Sequence, residues 1–323
     1  MAAFILSRIL QAVPVLLVVG LIAFAMFKFV GDPVTAMLGQ TYTEAQRAGL
    51  IDDLGLNQPF FVQYAKFMWA ALQGEFGISY RLARPVMELI AERLPATLEL
   101  AFTAAALALL IGVPMGVYTG IRRTAIASRL FLVFSLVGVS LPPFLIGILL
   151  ILVFSVLLGW LPSFGRGEVV RFAHWSTGFL TVSGLKALIL PAITLGLFQM
   201  TLIMRLVRAE MLEVLRSDYV KFARARGLSN RAINFGHALK NTLVPVVTIA
   251  GLQIGGIIAF SIVTETVFQW PGMGLLFVQS VQVADIPVMA AYLMLISVLF
   301  VGINLIVDLL YYAVDPRLRL GSR

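Results

Sequence analysis

The stretch RLVRAEMLEVLRSDYVKFARARGLSNRAINFGHALKN, Arg205 to Asn241, decides how this chain is laid out. Eight of its residues are Lys or Arg and three are acidic. It lies between two almost uncharged runs, Lys186–Met204 leading in and Thr242–Thr264 leading out. A short basic segment flanked by apolar runs is held on the cytoplasmic side of a bilayer. The same residues read as helix rather than open loop. Ser217 or Asp218 can cap a helix through Tyr219–Arg226, Gly227 can end it, and Ser229 can cap the next. A helix–Gly–helix elbow at a membrane surface is a shape suited to docking another polypeptide.

Composition supports the membrane setting. Apolar residues make up 60% of the 323, and charged residues 12%, against about 25% in soluble domains. The expected fold class is therefore all-α and polytopic. A formal charge of +8 does not point to nucleic acid, because a basic excess also marks cytoplasmic loops and the hydropathy outweighs it. Cysteine is absent and histidine is limited to His174 and His237, so disulfides and thiolate or paired-histidine metal sites are not expected.

Six runs are long enough to cross a bilayer, which takes about 20 helical residues. They are Ile9–Val30, Thr97–Tyr118, Leu130–Leu158, Ala187–Leu206, Leu243–Thr264 and Pro287–Tyr311. The first is read as a retained span, because Lys28-Phe-Val-Gly-Asp-Pro33 follows it instead of a small-residue cleavage site. Arg122, Arg123 and Arg129 lie between the second and third spans, and Arg317, Arg319 and Arg323 end the chain. Glu265–Ile286 has no basic residue. Both termini are thus expected in the cytoplasm. The organisation that follows is residues 1–95 as a first span with a long outer segment. Residues 96–315 form a core of five spans carrying the loop 205–241, and 316–323 form a cytoplasmic tail.

The outer segment has signals of its own. Thr43 and Gln46 have capping-box spacing, and Gly55 can stop the helix that follows. A second helix is expected from near Pro59, with Phe60, Phe61, Tyr64, Phe67, Met68, Ala71 and Leu72 at helical spacing, resting on the bilayer or on the other spans. Pro142-Pro143 falls inside the third run and is expected to kink it, as a gate or as an ordinary bend. The insert Arg166–Lys186, with His174, reads as an outer loop.

Catalytic chemistry is hard to find. None of the five lysines follows a glycine, so no P-loop is available. Gly77-Ile78-Ser79-Tyr80-Arg81 lacks the second glycine of a nucleophile elbow. The deep polar residues are few: Gln199, Gln253, Asn304 and Asp308, with Glu99 near the outer end of span two. Such groups usually face a bundle interior or a watery path, so Gln199, Gln253, Pro142 and Asn304 are the candidates for a substrate path. Asn304 and Asp308, four apart on one helix face, suit a structural bridge equally well. The chain lacks a series of buried carboxylates and a repeated charge along any span. An energy source outside the chain is favoured over a stand-alone ion-coupled carrier or a membrane enzyme.

Several stretches together resemble a family. The elbow Asp218-Tyr-Val-Lys-Phe-Ala-Arg-Ala-Arg-Gly-Leu-Ser229, with His237-Ala-Leu-Lys-Asn241 and Leu243-Val-Pro245, resembles the cytoplasmic loop of ATP-binding cassette importer permeases. It is most similar to the dipeptide/oligopeptide branch. Gly31-Asp-Pro33, Gly77-Ile-Ser-Tyr80, Leu94-Pro-Ala-Thr97, Thr264-Glu-Thr-Val-Phe268, Trp270-Pro-Gly-Met-Gly274, Asp285-Ile-Pro287 and Asp315-Pro-Arg317 agree in order. The long outer segment is that of the first of the two paired permeases. Lys221-Phe222-Ala223 stand where the general signature has Glu-Ala-Ala, which departs from that signature and suits the peptide branch.

The resemblance implies a type I importer permease of the bacterial inner membrane. It implies a heterodimer with a second permease, two cytoplasmic ATPase subunits that bind ATP and Mg, and an extracytoplasmic solute-binding protein. It implies alternating access, with no cofactor in this chain. The solutes it implies are dipeptides and oligopeptides, then nickel complexes or other small peptide-like compounds. Tyr219, Phe222 and Leu228 become anchors for a groove on the ATPase. Ala223, Ala225 and Gly227 allow close approach, and Arg224 and Arg226 can pair with carboxylates there.

Overall fold

A backbone crossing lipid must satisfy its polar groups within itself, and helix does so locally. The computed structural model describes residues 2–29, 38, 42–53, 57–173 and 175–314. Gly31-Asp-Pro33, Gly55, His174, Asp315-Pro-Arg317 and the tail expected at 316–323 lie outside these. The helices are α1 (Ala2–Phe29), α2 (Glu44–Asp53), α3 (Phe60–Gln73), α4 (Val86–Ile121), α5 (Ile126–Ser140) and α6 (Pro143–Leu150). They continue with α7 (Val182–Val214), α8 (Asp218–Ala225), α9 (Leu239–Val267), α10 (Met273–Gln282) and α11 (Ile286–Val314). Wider π-helical turns extend α6 through Ile151–Leu157 and precede α9 at Ala232–Ala238. One departure from all-α is a small hairpin of β1 (Val170–Phe172) and β2 (Trp175–Thr177) within the expected outer insert.

The chain divides into two compact units. The first holds Met1–Ala96, Arg171–Ser176 and Pro271–Val301. Here the capping box forms: the Thr43 N–H donates to Gln46 Oε1 at 2.9 Å, and the Gln46 N–H donates to Thr43 Oγ1 at 3.3 Å. Pro59 caps α3, and α3 lies on α1 rather than alone on a bilayer. The Phe24 ring meets Phe60, Tyr64 and Phe67 at 5.3, 5.8 and 5.8 Å, and the Tyr64 hydroxyl donates to the Leu17 carbonyl at 2.7 Å. Ala23, Ala290 and Met294 make a buried apolar cluster in this unit.

The second unit holds Thr97–Val170, Thr177–Trp270 and Gly302–Arg323. Its axis is α7, buried along most of its length. Gly112, Gly116 and Gly120 recur every fourth residue on α4, which lets the two backbones approach, as small residues do in membrane bundles. An added Cβ at Gly116 would stand 2.7 Å from the Met204 carbonyl and 2.6 Å from Val207 Cβ. At Gly112 it would stand 2.8 Å from the Met200 carbonyl. Gly138 of α5 seats against Thr201, and Gly147 of α6 against Thr194 and Phe268.

The third expected span is not one helix. Leu141 is extended, Pro142 caps α6, and the two halves bend by 110°. That is a break rather than the kink expected. Pro142 and Pro143 remove successive backbone donors and Pro142 disfavours helix at Leu141, so α5 ends there. Four helices among the described residues are long and apolar enough to cross a membrane, and five if the bent pair is one span. The expected fifth run, Leu243–Thr264, lies within the single helix α9, of which Gly255–Val267 is distinctly apolar.

Candidate functional site

The elbow forms where two long helices of the second unit, α7 and α9, meet. Ser217 is extended and precedes α8, although its hydroxyl donates backward to the Val214 carbonyl at 2.6 Å. Asp218 sits in the first turn, where negative charge complements the helix dipole. Lys221 Nζ donates to Asp218 Oδ1 at 2.8 Å and holds that carboxyl below its ordinary range. Gly227 closes the helix at φ +79°, a left-handed value that a residue with a Cβ adopts at a cost. The Leu228 N–H bonds the Ala223 carbonyl at 3.2 Å and the Gly227 N–H bonds that of Arg224 at 2.9 Å. This is a Schellman ending. The Ser229 hydroxyl then accepts from the Ala232 N–H at 3.3 Å and starts the next turn.

The two faces of α8 differ. Val220 and Ala223 are buried with Ile233 in a small core of their own. Phe222 is 64% exposed, with Lys221 and Ala225 beside it on the outer face. The Arg226 guanidinium lies 5.8 Å from the Phe222 ring centre, and Asn241 Nδ2 donates to the Tyr219 hydroxyl at 2.8 Å. Of the expected docking residues, Tyr219, Phe222, Arg224, Ala225, Arg226, Gly227 and Leu228 are therefore on the surface. Ala223 is turned inward and serves the elbow's own packing.

The expected path residues sit on four different helices. Gln199 is buried in α7 and its Oε1 has no hydrogen-bond partner among the described residues. Asn304 Oδ1 on α11 is likewise buried and unpartnered among them. Gln253 is half-buried on α9, and Pro142 caps α6. No hydrogen bond joins any two of the four among the described residues.

Three buried carboxylates, Glu99 within α4, Glu265 near the end of α9 and Asp285 just before α11, hold separate segments together, and sequence reasoning did not pair any of them. Glu99 accepts from Arg166 Nε at 2.8 Å and from its Nη2, from Thr177 Oγ1 at 2.9 Å and from the Gly178 N–H at 2.8 Å. The Arg166 guanidinium stacks 5.9 Å from the Trp270 ring. Glu265 Oε1 accepts from Thr97 at 2.7 Å and from Ser261 at 3.2 Å. In the first unit Asp285 accepts from the Ser79 hydroxyl at 2.5 Å and from the backbone N–H groups of Tyr80 and Arg81. The quoted motifs therefore meet in space: Gly77–Tyr80 with Asp285-Ile-Pro287, and Thr97 with Thr264–Phe268. Their shared polarity at the ends of apolar runs was the signal available.

A family model for the binding-protein-dependent transport system inner membrane component matches residues 112–320, and its N-terminal companion model matches residues 1–101. The chain belongs to this family. This permease is 41% identical to the oligopeptide transport system permease protein AppB of Bacillus subtilis, over 98% of the chain and 99% of that protein. It is 37% identical to the dipeptide transport system permease protein DppB of Escherichia coli, over 99% of each. A DppB of Alkalihalophilus pseudofirmus matches at 37% over 99% of the chain and 100% of that protein. The resemblance to the dipeptide/oligopeptide branch thus runs end to end. Among solved structures, the MetNI methionine ABC transporter in inward-facing form covers 71% of this chain and 97% of its own, with a TM-score of 0.56 and 21% identity. At that identity the likeness speaks for the fold, which is that of an ABC transporter membrane subunit.

Proposed function

We propose that this permease is one of two unlike membrane subunits of an ATP-driven importer of dipeptides and oligopeptides. Two cytoplasmic ATPase subunits, holding ATP and Mg, drive it through Asp218–Leu228, and an extracytoplasmic solute-binding protein delivers the peptide. Both termini lie in the cytoplasm. The substrate class rests on the names of the relatives that match over full length.

The observation that carries the mechanism is the two-faced elbow. Its inner face has a private core of Val220, Ala223 and Ile233, so α8 moves as a body with the turns before α9. Its outer face offers Phe222, Tyr219 and Leu228 flanked by Arg224 and Arg226, an apolar anchor with cations around it, the composition of an interface hot spot. A push on that face is passed to α7 and α9 together.

The test is Gly227→Val in the complete transporter reconstituted into liposomes. A β-branched residue at φ +79° is strained, so the end of α8 must refold and Leu228 must move. ATP hydrolysis is expected to persist while uptake of a labelled dipeptide falls at least about tenfold, a change of about 1.4 kcal/mol in the driving step. Unimpaired uptake in a correctly assembled complex refutes the coupling role.

A further inference from the structure

We propose that Arg205 and Arg208 form a binding site for the phosphate of an anionic phospholipid, at the end of α7 that leads into the elbow. The two side chains lie one turn apart and line a cavity of about 440 Å³ between α7 and α5, with Leu132, Ser135, Leu136 and Leu212 among its other walls. Arg205 Nε donates to the Ser135 hydroxyl at 3.2 Å. Ser135 gives its own proton to the Leu132 carbonyl at 2.8 Å. That relay aims Arg205 and leaves its terminal nitrogens available. Arg208 has no comparable support: its Nη1 is buried and makes no hydrogen bond among the described residues. A charged nitrogen withdrawn from water without an acceptor is costly, so an acceptor is called for.

Two guanidinium forks facing one cavity suit the several oxygens of a phosphate better than a single carboxylate. The walls decide the source of that phosphate. Leu132, Leu136 and Leu212 give the cavity an apolar side that an inorganic ion would leave bare. At about 30 Å³ per water, the cavity has room for a phosphate together with part of a glycerol backbone. Val133, Leu136 and Val137 of α5 are exposed and offer acyl chains a surface. The site also sits where α7 leaves its apolar run for the basic segment, and basic pockets between helices at the cytoplasmic face receive acidic headgroups. The inference rests on the membrane setting of α5 and α7 and on the proposed cytoplasmic side of this end of α7. It does not depend on the coupling role of α8.

The test uses the whole transporter, exchanged into detergent and then offered vesicles of phosphatidylcholine alone or with phosphatidylglycerol. Lipid retained on the complex is counted by native mass spectrometry. Phosphatidylglycerol is expected to be retained on this chain and not replaced by phosphatidylcholine. Arg208→Gln should lower its occupancy roughly tenfold, and Arg208→Lys should restore part of it. Ala209→Phe narrows the same cavity with both arginines in place and should also lower occupancy, so the test survives if Arg208→Gln does not assemble. Equal retention by the parent and both variants overturns the proposal. Displacement of the lipid by inorganic phosphate assigns the site to a free anion and overturns it as well. Loss of subunit assembly with lipid retention unchanged assigns the arginines to a neighbouring subunit's carboxylate, and the lipid site is then refuted too. Because the readout is bound mass, failure here is separable from failure of Gly227→Val.

Discussion

Replacing Arg166 by methionine probes the buried ion pair at the start of the second unit. The side chains of Arg166 and Glu99 are 6% and 3% exposed, so neither charge is shared with water. In the parent, Glu99 receives two guanidinium nitrogens, one hydroxyl and one backbone N–H. Arg166→Met removes the cationic half and leaves a carboxylate with two neutral donors. Breaking a buried pair from one side costs about 3–5 kcal/mol. Adding Glu99→Gln removes the orphaned charge, while the amide oxygen still accepts from Thr177 and Gly178. What remains is an amide group short of partners, a penalty of about 1–3 kcal/mol. The double variant should therefore be more stable than Arg166→Met alone by about 2 kcal/mol, the difference between those two penalties. Thermal unfolding in detergent measures the order of the three proteins, and protease cleavage within residues 166–181 reports local release of the loop. If Arg166→Met unfolds like the parent, or if Glu99→Gln destabilises it further, the pair does not act as described.

Four further outcomes follow from packing and exposure. Gly116→Val drives its Cβ into Val207 and the Met204 carbonyl and should destabilise the chain by at least about 1–3 kcal/mol. Gly49→Ala on α2, where nothing lies within 4 Å, should raise stability by up to about 1 kcal/mol, and unfolding curves compare the two. Asp285→Ala strips the Ser79 hydroxyl and two backbone N–H groups of a charged acceptor worth about 1.5–3 kcal/mol per bond, so cleavage in Ser79–Pro85 should quicken. Phe222→Ala, at an exposed position, should leave unfolding within about 0.5 kcal/mol of the parent yet sharply reduce dipeptide uptake. A matching loss of stability would make Phe222 structural instead.

The elbow is legible in the sequence because every signal in it is local: an acidic first turn at Asp218, a left-handed Gly227 and a serine three residues before the N–H it accepts. The Thr43–Gln46 box is legible for the same reason. The buried carboxylate contacts are not, since Glu99 and Arg166 are 67 residues apart and Ser79 and Asp285 are 206 apart, and no periodicity encodes such a meeting. The motifs carrying the family resemblance mark which residues matter but not which of them touch. Pro142-Pro143 announces a disturbance in the third run. Its size, 110°, is set by where Gly138 and Gly147 let α5 and α6 seat on their neighbours, which only the tertiary arrangement reveals. Ala223 reads as a docking residue in the sequence and is an inward one in the structure, because a small apolar side chain suits either face of a short helix.

Pro191 lies inside α7, and it divides that helix mechanically. It has no N–H to give to Ala187, so stiffness is lowest there. From Ala192 to Val214 the rod is uninterrupted and spans about 35 Å at 1.5 Å per residue. A tilt imparted at Val214 therefore travels as a rigid swing up to Pro191, where it can be absorbed or released. The far end, from Thr181 to Gly184, is stitched to Glu168 and Gly178, and so it can stay still while the lower shaft pivots. The helix has a built-in fulcrum, displaced towards its N-terminal end, that sets a long arm running to the elbow against a short one held at Thr181.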